Sequence, residues 1–187
     1  MSLPIIIGIS GASGAIYGVR LLQTLRRLSI PAHAVISKAA ALTLKEEMDL
    51  TAADIRELAH TTHSNGDVGA AISSGSFRTR GMIIAPCSIR TLSDIAYGTT
   101  GNLLSRAADV VLKERRRLVL IVRETPLHAG HLKSMLAATE NGAIVLPPVP
   151  AFYNSPVTVS DIVDQTVGRC LDLFDIDADL VKRWRAE

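Results

Sequence analysis

Short β-branched apolar runs alternate with longer amphipathic stretches along nearly the whole chain. The runs are almost continuously apolar, which is typical of strands buried on both faces of a sheet, and they cover residues 5–9, 32–37, 82–85, 118–122 and 143–146. The stretches between them place apolar residues at helical spacing over residues 15–28, 39–48, 89–97, 103–113, 131–140 and 159–174. This alternation predicts an α/β fold built on a doubly wound parallel sheet.

The length of the chain, 187 residues, fits one domain, so we expect residues 1–187 to share one core. The stretch 61–80 is rich in Ser, Gly and Thr, and we interpret it as a surface excursion before the central strand. From about residue 177 onward the sequence predicts a short C-terminal tail, which carries the single tryptophan, Trp184.

Composition argues against several classes of protein. The apolar fraction is 48%, yet the longest apolar runs, 3–7 and 143–149, fall far short of a membrane span, so we expect the extra apolar surface to meet other subunits. The net charge of +2, with basic and acidic residues intermixed, argues against nucleic-acid binding. Cys87 and Cys170 lack disulfide or metal spacing, and residues 1–10 lack the basic start of a signal peptide. A cytoplasmic protein is therefore expected.

A glycine-rich turn follows the first predicted strand. Residues 8–15 read GISGASGA, and such small residues let backbone N–H groups approach an anion at the start of the next helix. The spacing is not that of the dinucleotide fingerprint, so tight packing explains the turn as well as phosphate binding does. The hydroxyls of Ser10 and Ser13 favour phosphate binding.

Two further predicted strands end in small polar residues. Ser37 follows the second strand, and Ser88 and Thr91 follow the central one. Helix capping is enough to explain Ser37 alone. In an open α/β sheet, however, these strand ends meet in one crevice where the strand order reverses. Their convergence predicts a ligand site there.

A cation and a carboxylate, Arg123 and Glu124, leave the fourth predicted strand side by side. They form either a simple ion pair or a phosphate-binding arginine beside a proton-transfer acid. The basic run 113–117 precedes the same strand and, for most of its length, fits a solvated helix end.

Three features of the second half of the chain are compatible with ligand binding. His128 and His131 allow a metal site with Glu124, but no third close ligand at a recognised spacing supports it. Tyr153, in a proline-rich loop, has a hydroxyl placed to reach a ligand. Arg169 falls on a mostly apolar helix face, where a buried arginine needs an anionic partner.

Eight short motifs along nearly the whole chain resemble those of the UbiX-type flavin prenyltransferases, which are similar in fold to the wider flavin-binding cysteine decarboxylases. They are GASGA (11–15), SKAA (37–40), SGS (74–76), PCS (86–88), RAADV (106–110), LKER (112–115), RE (123–124) and PAFY (150–153). The resemblance implies a three-layer flavodoxin-like or Rossmann-like subunit. Its implied reaction is metal-independent transfer of a dimethylallyl group from dimethylallyl phosphate to N5 and C6 of reduced FMN. It also implies a homo-oligomer, usually a dodecamer with sites built across subunits, whose prenylated FMN serves a UbiD-type decarboxylase.

The resemblance assigns roles to particular residues of this sequence. The expected FMN contacts are Gly11, Ala12, Ser13, Ser37, Ser88, Thr91 and Arg123. The residues expected at the donor phosphate are Lys113, Arg123, Tyr153 and Arg169. The expected catalytic residues are Glu124 as the proton-transfer group, Lys113, Glu47 and Ser13. Trp184, in the C-terminal tail, is expected to cover the substrate.

The chain departs from the family pattern at two places. Val122 replaces a proline that commonly precedes the arginine, and residues 128–133 differ from the usual sequence. Two alternatives stay open: an FMN-dependent decarboxylase of a cysteine-containing substrate, and a non-catalytic flavin carrier subunit. The stretch 150–154, PAFYN, lacks the methionine of the decarboxylase motif and contains one more residue.

Overall fold

The computed structural model describes residues 2–185 as a six-stranded, all-parallel sheet. The strands are β1 (Ile5–Ile9), β2 (Ala32–Ile36), β3 (Thr61–Ser64), β4 (Gly81–Cys87), β5 (Arg117–Val122) and β6 (Ile144–Val145). The helices are α1 (Ala15–Arg27), α2 (Lys38–Met48), α3 (Ala52–Leu58), α4 (Ile89–Ala96), α5 (Leu103–Lys113), α6 (Ala129–Glu140) and α7 (Val159–Asp172).

The strand order across the sheet is β3-β2-β1-β4-β5-β6. The chain first builds outward from β1 to β3 and then returns to β4 on the other side of β1. The order therefore reverses between β1 and β4, which is the switch point of a Rossmann-like doubly wound sheet. The predicted fold class is confirmed, and the carboxyl ends of β1 and β4 lie side by side.

The core lies on both faces of the central strands. Every residue of β1 and β4 is buried, because helices cover both sides of the sheet. On one face α1 and α7 pack against Ile5, Ile7 and Ile9, and on the other α4 and α5 pack against Ile6 and Met82. These are the three layers that the apolar strand runs predict.

Helix α1 lies unusually close to the sheet at Gly18. A Cβ added to Gly18 would overlap the carbonyl oxygen of Ala85 in β4 and the side chain of Ile9 in β1. Only glycine allows the helix backbone to approach the two central strands this closely. Helix α1 is thereby fixed directly beside the switch point.

Two elements differ from the sequence-based prediction. The stretch 61–80 is not wholly a surface excursion, because its first four residues form β3, which pairs in parallel with β2. Helix α3 was not predicted, and it begins with a capping box between Thr51 and Asp54. The other predicted elements are confirmed with ends shifted by one or two residues. Within residues 2–185, no helix is both long and apolar enough to span a bilayer.

Candidate active site

Residues that follow five different strands line one cavity of about 610 Å³ at the carboxyl edge of the sheet. Gly11 comes from the loop after β1, Ser37 from the end of β2, Asn65 from the end of β3, Ser88 from the end of β4 and Glu124 from the end of β5. The predicted convergence is therefore present. Other lining residues are Lys38, Ala39, Gly66, Arg90, Thr91 and Asn102.

The loop after β1 comes very close to the start of α2. A Cβ at Gly11 would overlap the Cβ of Ala39, so a larger residue would push the loop away from α2. Gly11 and Ala39 both line the cavity. The small residues of the turn thus serve close packing and ligand access together.

Hydroxyl groups cap two of the helices that begin at the cavity, α2 and α4. Ser37 caps α2, where its Oγ accepts a hydrogen bond of 3.0 Å from the amide of Ala40. Ser88 caps α4, where its Oγ accepts from the Thr91 amide at 3.3 Å and donates to the Thr91 hydroxyl at 3.1 Å. Two helix N-termini, each with a partial positive charge, therefore open into the same space.

Ser10 does not face a ligand, although the sequence suggested that its hydroxyl favours phosphate binding. Its Oγ donates to the carbonyl oxygen of Pro86 at 2.9 Å and accepts from the Ser88 amide at 2.7 Å. The residue is 1% exposed. Ser10 therefore joins the loops after β1 and β4, whereas Ser13, three residues later, is exposed.

The N-terminus of α1 already has an anionic partner. Glu47, from α2, accepts hydrogen bonds from the Gly14 amide at 2.9 Å and from the Ala15 amide at 3.0 Å. A carboxylate therefore accepts from the N–H groups at which the sequence predicts a phosphate, and that placement stays a prediction. The starts of α2 and α4 are the better anion sites.

Arg123 and Glu124 are both exposed at the end of β5, and Glu124 lines the cavity. The Glu124 carboxylate accepts a hydrogen bond of 3.0 Å from the Thr125 amide. Arg123 lies near Tyr17 of α1, a residue that the sequence analysis missed. Burial raises the pKa of Tyr17, while the Thr166 hydroxyl and the Arg123 cation oppose that rise. The phenol is therefore neutral beside the arginine at neutral pH.

Tyr153 and the C-terminal tail meet on α7. The Tyr153 hydroxyl accepts a hydrogen bond of 3.0 Å from the Gln165 amide group, and Gln165 in turn accepts from the Lys182 backbone at 3.1 Å. The ring of Trp184 meets Tyr153 edge to face, with centroids 5.4 Å apart. The tail therefore runs back over α7 and places Trp184 against Tyr153.

Arg169 is not the buried cation that the helix pattern suggested. Its side chain is 54% exposed, and it forms an ion pair with Asp172 at 2.8 Å. The residue lies one turn after Gln165 on α7, on the side where the tail packs. It therefore has its anionic partner within the helix, and its guanidinium also reaches solvent.

Lys113 lies apart from the other predicted site residues. It is the last residue of α5, just before β5, whereas Arg123 and Glu124 follow β5. A strand of this length spans about 20 Å, which separates the two ends by the full height of the sheet. Within one chain, Lys113 pairs with Glu114 at 2.7 Å and does not reach the cavity.

A larger hollow, of about 750 Å³, lies at the opposite, amino edge of the sheet and is lined by Arg80, Arg115, Arg116 and Arg117. Two of these cations already have partners within the chain. Arg116 donates to the carbonyl oxygens of Gly75 and Phe77, and Arg117 pairs with Asp175 at 3.4 Å. None of the helices within residues 2–185 begins among its lining residues, so the carboxyl edge is the stronger candidate for a cofactor site.

Neither metal binding nor thiol chemistry finds support in the residues described. Among residues 2–185 no group of three or more His, Cys, Asp or Glu side chains is placed to hold a metal ion. Cys87 and Cys170 are fully buried, and burial raises the pKa of each thiol. A buried, protonated thiol is a poor nucleophile.

The cavity residues fit a cofactor that carries a phosphate. Helix N-termini and hydroxyl groups suit the anion, while the cavity volume of about 610 Å³ has room for a ring system. Fold and site together define a nucleotide-cofactor-binding protein of the doubly wound class. In agreement, the family described as Flavoprotein matches residues 1–183.

Two curated relatives narrow the class further. A flavin prenyltransferase UbiX of Thauera aromatica is 57% identical over 96% of this chain and 93% of its own length. The flavin prenyltransferase UbiX of Escherichia coli K12 is 58% identical over 97% of each chain. The chain belongs to the UbiX-type flavin prenyltransferase family.

Solved structures agree with this assignment. A crystal structure of AnUbiX (PadA1) in complex with FMN and dimethylallyl pyrophosphate is 48% identical, covers 100% of both chains and has a TM-score of 0.97. A dodecameric FMN-dependent UbiX-like decarboxylase from E. coli O157:H7 is also 48% identical, with a TM-score of 0.96 over 98% of this chain and 100% of that one. The fold is thus shared over its whole length with structures of the family.

Proposed function

We propose that the protein transfers a dimethylallyl group from dimethylallyl phosphate to reduced FMN. The observation that carries this proposal is the meeting of five strand ends at one cavity, with Glu124 on its wall and Arg123 next to it. The names of the relatives and the ligands of the AnUbiX structure point to the same reaction.

The residues present suggest how FMN is held. Its phosphate fits the N-termini of α2 and α4, beside Ser37, Ser88 and Thr91, where backbone N–H groups and hydroxyls lie close together. Gly11 and Ala12 provide backbone along the ring, and the exposed hydroxyl of Ser13 faces outward from the same loop. Reduced FMN, when bound, supplies the N5 and C6 positions that receive the dimethylallyl group.

The donor end of the site needs cations and one acid. Arg123, Arg169 and Lys113 neutralise the phosphate as its bond to the allylic carbon breaks, and Tyr153 orients it by a hydrogen bond. Glu124 holds or accepts the proton that must move when the second carbon bond forms. Glu47 and Ser13 are the other proposed catalytic residues, and in the single chain Glu47 holds the start of α1 in place.

Assembly of several copies is part of the proposal. Lys113 lies at the opposite edge of the sheet from Glu124, so a second copy must bring it to the donor phosphate. Large apolar side chains stay exposed on the single chain, among them Leu132, Leu136, Val149, Phe152, Val157 and Val159. Both facts favour a homo-oligomer, and the structurally similar dodecamer favours twelve copies.

The tail and the product complete the proposal. The tail from about residue 177 covers the donor end of the site through Trp184, which already contacts Tyr153. The product, prenylated FMN, passes to a UbiD-type decarboxylase. The cytoplasm is the expected compartment, since both cysteines are unpaired thiols.

The test is anaerobic incubation of the protein with reduced FMN and dimethylallyl phosphate, followed by mass measurement of the released flavin. A gain of one dimethylallyl unit is the expected result. Glu124→Gln should retain FMN and lose turnover, whereas Glu140→Gln, an exposed acid at the end of α6, should behave as the wild type. Unchanged flavin that stays bound would contradict the proposal and favour the decarboxylase or carrier alternatives.

A further inference from the structure

Two histidines form a bonded pair beneath the wall of the cavity. His33 of β2 and His63 of β3 lie side by side on adjacent strands, with His33 Nδ1 and His63 Nε2 2.9 Å apart. Their rings stack with centroids 5.1 Å apart, and the ring of Phe77 lies 5.1 Å from His33 on centroids. His33 is only 9% exposed. The pair is therefore a packed part of the sheet edge.

A hydrogen bond between two imidazoles requires one N–H and one free lone pair. The bond therefore persists when the pair is neutral or carries one extra proton. A second proton leaves two donors facing each other, and the two positive rings then repel. The contact between β2 and β3 at this point thus depends on the protonation of the pair.

The groups around the pair include few other charges. His60, whose ring centroid lies 6.3 Å from that of His33, is the nearest further imidazole, and Asp67 lies near His63. Helix α5 covers this face of the sheet with apolar side chains, namely Leu104, Ala107, Ala108 and Val111. A charge on both imidazoles would be poorly solvated there.

The strand that carries His63 leads directly into the cavity wall. Asn65 follows the last residue of β3 and lines the cavity together with Gly66. Its backbone carbonyl accepts from the Leu103 amide at 2.9 Å, and its side-chain Oδ1 accepts from the Leu104 amide at 3.0 Å. Asn65 therefore joins the end of β3 to the first turn of α5.

We propose that His33, His63 and Asn65 are positioning residues for the flavin: the imidazole pair holds β3 against β2, and Asn65 transmits that position to α5. A second proton on the pair then loosens this wall and weakens FMN binding. The inference rests on the proposed function for the identity of the ligand. The contacts that it uses are present without the ligand.

The pKa shifts agree with this geometry. Burial, and then repulsion by His63 and His60, lowers the pKa of His33 to about 4. Burial also lowers the pKa of His63, although Asp67 opposes that change. The pair therefore keeps its bond at neutral pH and loses it as the pH falls toward 4.

The first experiment measures amide hydrogen exchange at Leu103 and Leu104 in the flavin-free protein at pH 7 and pH 4. In the wild type, protection of both amides should decrease at pH 4. In His33→Gln the side chain still offers a hydrogen bond to His63 but does not titrate, so protection should change little. Equal loss of protection in the wild type and the variant would overturn the inference.

The second experiment measures FMN affinity in the same proteins by flavin fluorescence. Between pH 7 and pH 4 the wild type should lose about twofold more affinity than His33→Gln, because a pKa of about 4 leaves half of the pairs doubly protonated at the lower pH. Protonation of the FMN phosphate affects both proteins equally, so it cancels when the two affinities are compared. Asn65→Ala should bind FMN about tenfold more weakly at pH 7.

Two control variants separate positioning from general destabilisation. His60→Gln removes a neighbouring imidazole that does not bond to the pair, and it should retain the acid-induced loss of affinity. Asn141→Ala removes a comparable hydrogen bond, of 3.0 Å to the Ala96 carbonyl, and it should bind FMN normally. An Asn141→Ala protein as weak as Asn65→Ala would overturn the inference. Failure of the wild type to bind FMN at pH 7 would instead overturn the proposed function.

Discussion

The side-chain oxygen of Ser10 accepts a hydrogen bond of 2.7 Å from the backbone amide of Ser88. The two residues are 78 positions apart in sequence, yet they meet at the switch point of the sheet. This bond holds the loop after β1 against the loop after β4. The two central walls of the cavity therefore keep one fixed spacing.

Substitution of Ser10 by Ala should separate these loops. It leaves the half-buried Ser88 amide without its partner, which costs about 1–3 kcal/mol of the free energy of unfolding, while the Pro86 carbonyl still accepts from the Ser10 backbone amide. We expect a lower urea midpoint and weaker FMN binding. Ser160→Ala, at an exposed position in the first turn of α7, is the matched control. Equal midpoints for the two variants would show that the Ser10 bonds contribute nothing.

Substitution of Gly11 by Ala should push the loop after β1 away from α2. The new methyl group overlaps the Cβ of Ala39, and the resulting shift costs about 1–3 kcal/mol. FMN titration should show a large loss of affinity. Gly69→Ala adds a methyl group that meets the Asp67 carboxylate at an ordinary 3.5 Å, so this variant should bind FMN as the wild type does. Normal FMN binding by Gly11→Ala would mean that the loop does not form the cofactor cradle.

Substitution of Glu47 by Gln should destabilise the start of α1. The change removes the negative charge that accepts from the Gly14 and Ala15 amides, which costs about 0.5–1 kcal/mol. Urea unfolding measures this change. Glu46→Gln, on the preceding exposed residue, should leave the midpoint unchanged. If both variants unfold at the same urea concentration, the helix start does not depend on Glu47.

Stability should decrease in weak acid because of His33. The folded protein holds the pKa of His33 at about 4, whereas the unfolded chain takes up the proton near the ordinary value of 6.5. The unfolded state therefore binds more protons between these values, and stability is lost as the pH falls from about 6.5 toward 4. The loss should reach about 3 kcal/mol at the lower limit. Urea unfolding across this range should be flatter for His33→Gln, and parallel profiles would contradict the assignment.

Mixing two inactive variants should restore activity if sites form between copies. Lys113→Ala and Glu124→Gln should each be inactive alone. In mixed assemblies, about a quarter of the sites combine an intact Glu124 from one copy with an intact Lys113 from another. Prenylation of FMN by proteins dissociated and reassembled together measures this recovery. No recovery, despite confirmed exchange of subunits, would mean that Lys113 acts elsewhere.

Much of the fold was predictable from the sequence because the central strands are buried on both faces. The apolar runs of β1, β4 and β5 are therefore recognisable as strands in the sequence. Strand β3 is not recognisable in this way, since its four residues, Thr61–Ser64, are polar and partly exposed at the sheet edge. Helix α3 has only seven residues, and its signal was the capping pair Thr51 and Asp54.

The site was predictable where strand ends carry small polar residues. Ser37, Ser88 and Glu124 follow strands and line the cavity as expected. Asn65 was missed because the strand before it was missed. The bonds of Glu47 to the start of α1 join residues more than 30 positions apart, and no local pattern shows such a contact. Ser10 and Ser13 look alike in sequence, and only packing tells the buried one from the exposed one.

The absence of a side chain at Gly18 has a mechanical consequence. With the backbone of α1 directly against Ala85 and Ile9, the helix cannot slide along the sheet without colliding with it. Strand β1, helix α1 and strand β4 thus form a rigid unit beside the cavity. Movements that admit a flavin and release a bulkier one are therefore expected in the other walls of the cavity, such as the end of β3 and the start of α5.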